Sequence, residues 1–242
     1  MAGKESRRAT YLRWAPVAAI ALAGAVLVGV SIQGGGDKPE AAPASQATPA
    51  DPAKAEDPGL AHRKAGDPLA LGKPDAPVAI VEYADFRCPF CAQFTRETLP
   101  ALVKEYVDKG LVRYEFRDLP LFGEESWQGA IAGRAAARQG KFWEYLAAVH
   151  KAAPAHGHPP LPRAKLIAFA RQAGVPDQAR FERDLADKSL RTAVQSDAEL
   201  AQQFGLNTVP FFAIDNVAVS GAQPVSVFQQ VIEQRLKAHN VR

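Results

Sequence analysis

Cys88 and Cys91 are the only cysteines in the 242-residue chain, and they stand three residues apart in Cys88-Pro89-Phe90-Cys91. Three chemistries compete for such a pair. A structural disulfide would close only a four-residue ring and constrain the unfolded chain little. A metal site would need two further ligands, and only His156 and His158 in a proline-rich stretch offer themselves. Redox exchange fits the setting best, because the pair follows an apolar β-branched run and opens a helical pattern. A helix N-terminus presents unpaired N–H groups and a partial positive charge, which favour a thiolate over a thiol. Arg87 adjoins the pair and adds cationic character. Cys88 is therefore expected to be the exposed low-pKa nucleophile and Cys91 the more buried resolving thiol. A thiolate attacking a disulfide passes through a mixed disulfide, which the second thiol resolves.

Two further segments carry candidate chemistry. Glu82 sits six residues before Cys88 in the middle of an apolar strand. The alternation around it leaves its face open. On an edge it would be solvated. Buried beneath the cysteines it would have a raised pKa and could pass a proton to or from Cys91. Thr208-Val209-Pro210-Phe211 precedes another strand. Pro210 is a candidate cis proline, with an ordinary trans turn as the alternative. In the cis form it would expose the backbone of Val209 for pairing with an extended peptide.

The elements that must position these residues can be read from periodicity. Residues 78–83 form a buried strand. A helix over about 88–107 follows, kinked by Pro100, and then an alternating strand over 111–118. Strand, helix and strand imply a parallel pair. Residues 125–205 read almost wholly as helix, over 126–138, 141–153, 164–173, 177–187 and 189–204, with a proline-rich loop over 154–162. A strand over 211–215, its hairpin partner over 216–220 and a helix over 224–238 close the chain. The class is α/β, in the order βαβ, an all-helical insertion at about 125–205, then ββα.

Composition sets the limits. The chain is 47% hydrophobic and 23% charged, which excludes a wholly disordered or collagen-like chain. The net charge of +3, with no Lys/Arg cluster in the globular part, gives no case for nucleic acid. Residues 1–13 carry Lys4, Arg7, Arg8 and Arg13 against Glu5, as a basic cytoplasmic segment would. Residues 14–32 form a 19-residue apolar run, about 28 Å long as a helix, enough to span a membrane. The basic flank should stay inside, placing the remainder outside the cytoplasm. A cleaved signal peptide ending near Gly29-Val30-Ser31 is the alternative. Ser6-Arg7-Arg8 resembles a twin-arginine signal only faintly. Residues 33–67, rich in Gly, Pro and Ala, read as an extended linker before a domain over 68–242.

The runs Val81-Glu82-Tyr83-Ala84-Asp85-Phe86-Arg87-Cys88-Pro89-Phe90-Cys91, Gln139-Gly140-Lys141-Phe142-Trp143-Glu144 and Gly205-Leu206-Asn207-Thr208-Val209-Pro210-Phe211-Phe212 occur in that order. They resemble the DsbA-like thioredoxin-fold thiol–disulfide oxidoreductases, in particular the membrane-tethered Gram-positive and actinobacterial forms. The resemblance covers about residues 66–242. It implies a thioredoxin fold interrupted by a helical domain, with Cys88 and Cys91 as the redox-active disulfide, Glu82 as the buried acid and Pro210 as the cis proline. Pro89, Phe90, Thr208 and Val209 would then meet the substrate. It also implies oxidation of reduced secreted or surface proteins, and a membrane reoxidant of the DsbB or vitamin K epoxide reductase-like class. Neither a metal nor a diffusible cofactor is needed, since the disulfide is the redox group. One position departs from the pattern. The best-known oxidases of the family carry His where this chain has Phe90, so oxidising strength cannot be carried over. A reductase or isomerase of the same fold is the alternative, and a non-catalytic tethered peptide-binding module a further one.

Overall fold

The computed structural model describes residues 59–241. The expected cytoplasmic segment, the membrane anchor over 14–32 and most of the linker lie outside the described residues. Among the described residues, no helix is long and apolar enough to cross a membrane.

A five-stranded mixed sheet forms the centre, in the order β1-β3-β2-β4-β5. The strands are β1 (Ala70–Leu71), β2 (Val78–Ala84), β3 (Val112–Asp118), β4 (Phe211–Ile214) and β5 (Val217–Ser220). β2 and β3 run parallel, while β1–β3, β2–β4 and β4–β5 are antiparallel. All seven residues of β2 are buried. That is why its sequence reads as a continuous apolar run, because both faces of the strand are covered. On one face Val78 and Ile80 pack with Phe94, Leu102, Phe228 and Ile232, supplied by the helix after β2 and by α8 (Val225–Ala238). On the other, Val81 and Tyr83 pack with Leu119, Ala198 and Ala201.

The helix expected over 88–107 is broken into three pieces. α1 (Pro89–Glu97) ends at Thr98, α2 (Leu99–Leu102) restarts, and a wide π-type turn over Val103–Val107 finishes it. Pro100 has no N–H to donate, and its ring crowds the carbonyl of Arg96, so the regular ladder cannot pass through. Between β3 and β4 come α3 (Glu124–Ala137), α4 (Phe142–Lys151), α5 (Arg163–Gln172), α6 (Gln178–Asp184) and α7 (Lys188–Gln203), the helical insertion the sequence predicts.

The linker boundary at residue 67 needs correction, because residues 60–67 belong to the folded unit. Leu60 is buried. The amides of His62 and Arg63 donate to the Glu115 carboxylate at 2.9 and 2.8 Å, and Arg113 donates to the carbonyls of Lys64 and Gly72. A Gly/Ala/Pro-rich stretch does not advertise this, since the partners are backbone groups and the charges lie on β3. The two-residue β1 was also unexpected; it is too short to show a period.

Phe86, two residues before Cys88, ties the sheet to the insertion. Its ring lies 5.8–6.4 Å from those of Phe116, Phe142 and Tyr145. Gly133 on α3 lets α3 approach this cluster; a Cβ there would stand 2.5 Å from Phe86 Cζ. The rings of Phe116, Phe142, Tyr145 and His150 packed around Phe86 oppose its displacement. Gly133→Ala is therefore expected to destabilise by about 1–2 kcal/mol, overpacking outweighing the helix propensity gained. Thermal unfolding should show a Tm lower by roughly 2–6 °C; an unchanged or higher Tm would mean Phe86 can yield.

Candidate active site

Cys88 is the N-cap of α1. Its backbone is extended, Pro89 occupies the first helical turn, and its sulfur accepts from the Cys91 amide at 3.3 Å. Local sequence explains this arrangement. Proline tolerates the first turn, where the N–H would have no partner anyway, and the N-cap side chain faces the free amides. Both cysteines are free thiols. The Cys88 thiol is pulled below its ordinary value, chiefly by hydrogen bonding from the Cys91 thiol, with help from the Cys91 and Phe90 amides. Burial and the Asp85 carboxylate work against this. Cys91, fully buried, is pushed well above its ordinary value by burial and then by Cys88 and Glu82. The two thiols are thus driven apart, one toward thiolate and one toward thiol.

Glu82 is completely buried at the centre of β2, which removes the solvated-edge alternative. Its pKa is raised to about 8, mainly by burial, against the lowering effect of the Tyr114 hydroxyl, which donates to Glu82 Oε2. Glu82 Oε1 has no hydrogen-bond partner. An orphan acceptor this deep is costly when charged. The carboxyl is therefore largely protonated at neutral pH and holds a proton next to the cysteines. Tyr114 went unnoticed in the sequence. It lies opposite Ile80 in the parallel register, and only that register shows that its hydroxyl meets Glu82.

The Val209–Pro210 peptide bond is cis, and the Val209 carbonyl accepts from the Cys88 thiol at 3.6 Å. Cys88, Pro89, Phe90, Thr208 and Val209 line one groove of about 290 Å³, together with Leu121, Phe122, His158 and Asn207. Phe90, 53% exposed, and Leu121, 39% exposed, are apolar side chains left open to solvent there. The sequence expected an exposed Cys88. The residue is only 2% exposed and lies on the groove floor, because the cis-proline loop and the 121–122 loop close over it. Glu82 and Cys91 lie beneath this floor, and Pro210 is buried. A larger cleft of about 410 Å³, lined by His62, Lys64, Arg117, Arg134 and Asp197, contains neither cysteine.

Arg87 does not supply the cation expected beside Cys88. Its guanidinium turns toward the insertion and donates to the carbonyls of Phe122, His158 and Pro159 at 2.5, 2.9 and 2.9 Å. It also pairs with Glu125 at 3.3 Å. His158 stacks on Phe122 with ring centroids 3.5 Å apart. Among the described residues, no group of three or more His, Cys, Asp or Glu side chains is placed to hold a metal.

Known proteins place this architecture. The sequence model of a family described as Thioredoxin matches residues 64–234. The probable disulfide bond formation protein D of Bacillus cereus is 33% identical over 145 residues, covering 58% of this chain and 67% of that protein. The Na(+)/H(+) antiporter NhaA 3 of Salinispora tropica is 36% identical over 146 residues, covering 60% of this chain but 21% of the antiporter, so that likeness is to one part of a longer protein. Among solved structures, oxidised BdbD from Bacillus subtilis superposes with a TM-score of 0.66 at 22% identity, covering 76% of this chain and 97% of that one. That last likeness speaks to the fold.

Proposed function

Because the chain belongs to the thioredoxin family, as a DsbA-like thiol–disulfide oxidoreductase, we propose that it acts outside the cytoplasm as an oxidase, donating a Cys88–Cys91 disulfide to reduced secreted or surface proteins. The observation that carries this direction is the stabilised Cys88 sulfur: N-cap of α1, amide donor at 3.3 Å, thiol pKa held down. Stabilising the thiolate stabilises the reduced protein, so its disulfide gains electrons readily.

In the forward reaction a substrate thiolate attacks Cys88 Sγ. The Cys88–Cys91 bond breaks and its electron pair leaves on Cys91. A mixed disulfide now joins Cys88 to the substrate. Cys91, whose thiolate is disfavoured by burial, takes up a proton, and Glu82 is the neighbouring group that holds one. A second substrate thiolate attacks the substrate sulfur of the mixed disulfide and expels Cys88 as thiolate. The substrate has lost two electrons and the protein has gained them. A membrane partner of the DsbB or vitamin K epoxide reductase-like class would remove them again. Residues 14–32 would tether the domain beside such a partner. The low polarity around Phe90 and the Thr208–Val209 backbone suit an unfolded peptide laid along the groove.

The opposing charge of Asp85, which weakens thiolate stabilisation, and the phenyl side chain of Phe90, which has no hydrogen to donate to a thiolate, favour a second reading, a reductase. Equilibration of the full-length protein with glutathione separates the two. A potential on the order of −120 mV is expected for the oxidase, and one near roughly −270 mV would overturn that direction.

A further inference from the structure

The turn that presents Cys88 also builds a wall of the groove. Asp85 and Arg87 stand on either side of Phe86 in this turn. Asp85 Oδ2 accepts from the amides of Leu121 and Phe122 at 2.7 and 3.3 Å, and its Oδ1 accepts from the Arg87 amide at 2.8 Å. Arg87 then takes the carbonyl of the same Phe122, and two more carbonyls from the proline-rich loop, His158 and Pro159. One short turn thus grips two loops, 35 and 71 residues further along the chain, by their backbones. The guanidinium is spent on three carbonyls and on Glu125, so it presents little net charge to the groove. What the grip fixes in place is the Phe122–His158 stack, which faces the same groove as Cys88. The exposed apolar side chains of Phe90 and Leu121 lie in this groove too.

We propose that Arg87 is a positioning residue that holds the Phe122–His158 stack as a subsite for an apolar, preferentially aromatic, side chain next to the reacting cysteine of the substrate. This rests on the exchange activity proposed above, since only a cysteine-bearing peptide has reason to lie across Cys88. The stack offers ring faces to a flat side chain, and ring contacts add to ordinary apolar burial. Leu121 and Phe90 supply the apolar surroundings. Three neutral carbonyl acceptors fix the Arg87 fork in a way that a point charge could not reproduce. The substrate residue is thus selected by side chains reached from the insertion, while the sulfur chemistry is set by α1.

The test uses the full-length oxidised protein and two synthetic dithiol peptides, identical except for Phe or Ala beside the attacking cysteine. The wild type is expected to show a KM about tenfold lower for the Phe peptide, with similar kcat. In His158→Ala, a change at an exposed position that leaves the backbone carbonyl gripped by Arg87 in place, the ratio should fall to about twofold. In Arg87→Ala it should fall likewise, with the equilibrium constant against glutathione changed less than twofold. Arg87→Lys keeps the charge without the fork; it should also lose the preference, and it decides the clamp where Arg87→Ala does not fold. A residue that only stitched the fold would lower Tm and leave the Phe/Ala ratio alone. Persistence of the ratio in His158→Ala overturns the subsite, and persistence in the Arg87 variants overturns the clamp. A shifted glutathione equilibrium in Arg87→Lys would instead mean that Arg87 acts on Cys88 directly. A wild type that oxidises neither peptide sinks the exchange reading itself; one that oxidises both with equal KM sinks only the subsite.

Discussion

Cys91→Ser is expected to stall on its substrates as a covalent adduct, with turnover lowered roughly a thousandfold or more, the scale seen when one member of a catalytic unit is removed. The reasoning follows from the two sulfur environments. Cys88 keeps its N-cap position in this variant, so it can still form a mixed disulfide with a substrate disulfide or with oxidised glutathione. It loses the Cys91 thiol that both supports its thiolate and resolves the adduct. Cys88→Ser should lose as much turnover and form no adduct, because Cys91 is wholly buried with a raised pKa. Non-reducing electrophoresis followed by intact mass measurement distinguishes the two variants. An adduct on Cys91 in Cys88→Ser would reverse the assignment of nucleophile and resolving thiol.

Glu82→Gln should make the protein more stable at neutral pH while slowing its chemistry. The folded carboxyl has a pKa of about 8, against 4.5 for the ordinary value. Between those values the folded protein keeps a proton that the unfolded chain has already released. Its contribution to stability is therefore complete below about pH 4.5 and is lost progressively as pH rises to about 8. At 1.36 kcal/mol per unit, the loss at pH 7 is on the order of 3 kcal/mol. Glutamine carries no such proton. It can still accept from Tyr114, and it places an amide where Oε1 already lacks a partner. Urea unfolding should find the variant level with wild type near pH 4.5 and about 3 kcal/mol more stable at pH 7. Equal slopes of stability against pH in the two proteins would show that Glu82 ionises normally. The release of Cys91 from the disulfide should slow in the same variant, because the neighbouring proton is gone; a rate unchanged across pH 6–9 would remove Glu82 from the proton path.

Much of this site could be read in the chain. Cysteines three apart after an apolar strand, with proline between them, already specify a helix N-cap, because that is where proline is tolerated and where amides are free. The βαβ order, the helical stretch and the closing ββα follow from periods of two and about 3.6, which are local properties. The helix after Cys91 is the instructive partial miss. Pro100 pointed to the break, but the π-type turn that resumes the helix depends on packing around Leu99, Leu102 and Tyr106.

Arg87 shows the opposite limit. Its sequence neighbour is Cys88, and adjacency suggested a charge acting on the sulfur. The side chain is long enough to choose among partners within several ångströms, and it chose carbonyls that arrive from residues 122, 158 and 159. The burial of Glu82 was likewise undecidable from alternation, since a strand covered on both faces has no polar side to betray.

The residues able to carry thiol chemistry, the order of the elements and the helix terminus that favours a thiolate are all consequences of residue type and short-range geometry, and so are legible in the chain. The meeting of Tyr114 with Glu82, the roofing of Cys88 by the cis-proline loop and the grip of Arg87 on the carbonyls of Phe122, His158 and Pro159 emerge in the folded protein. Those depend on strand register and loop closure between residues tens of positions apart, where many partners are compatible with the same local pattern and packing selects one.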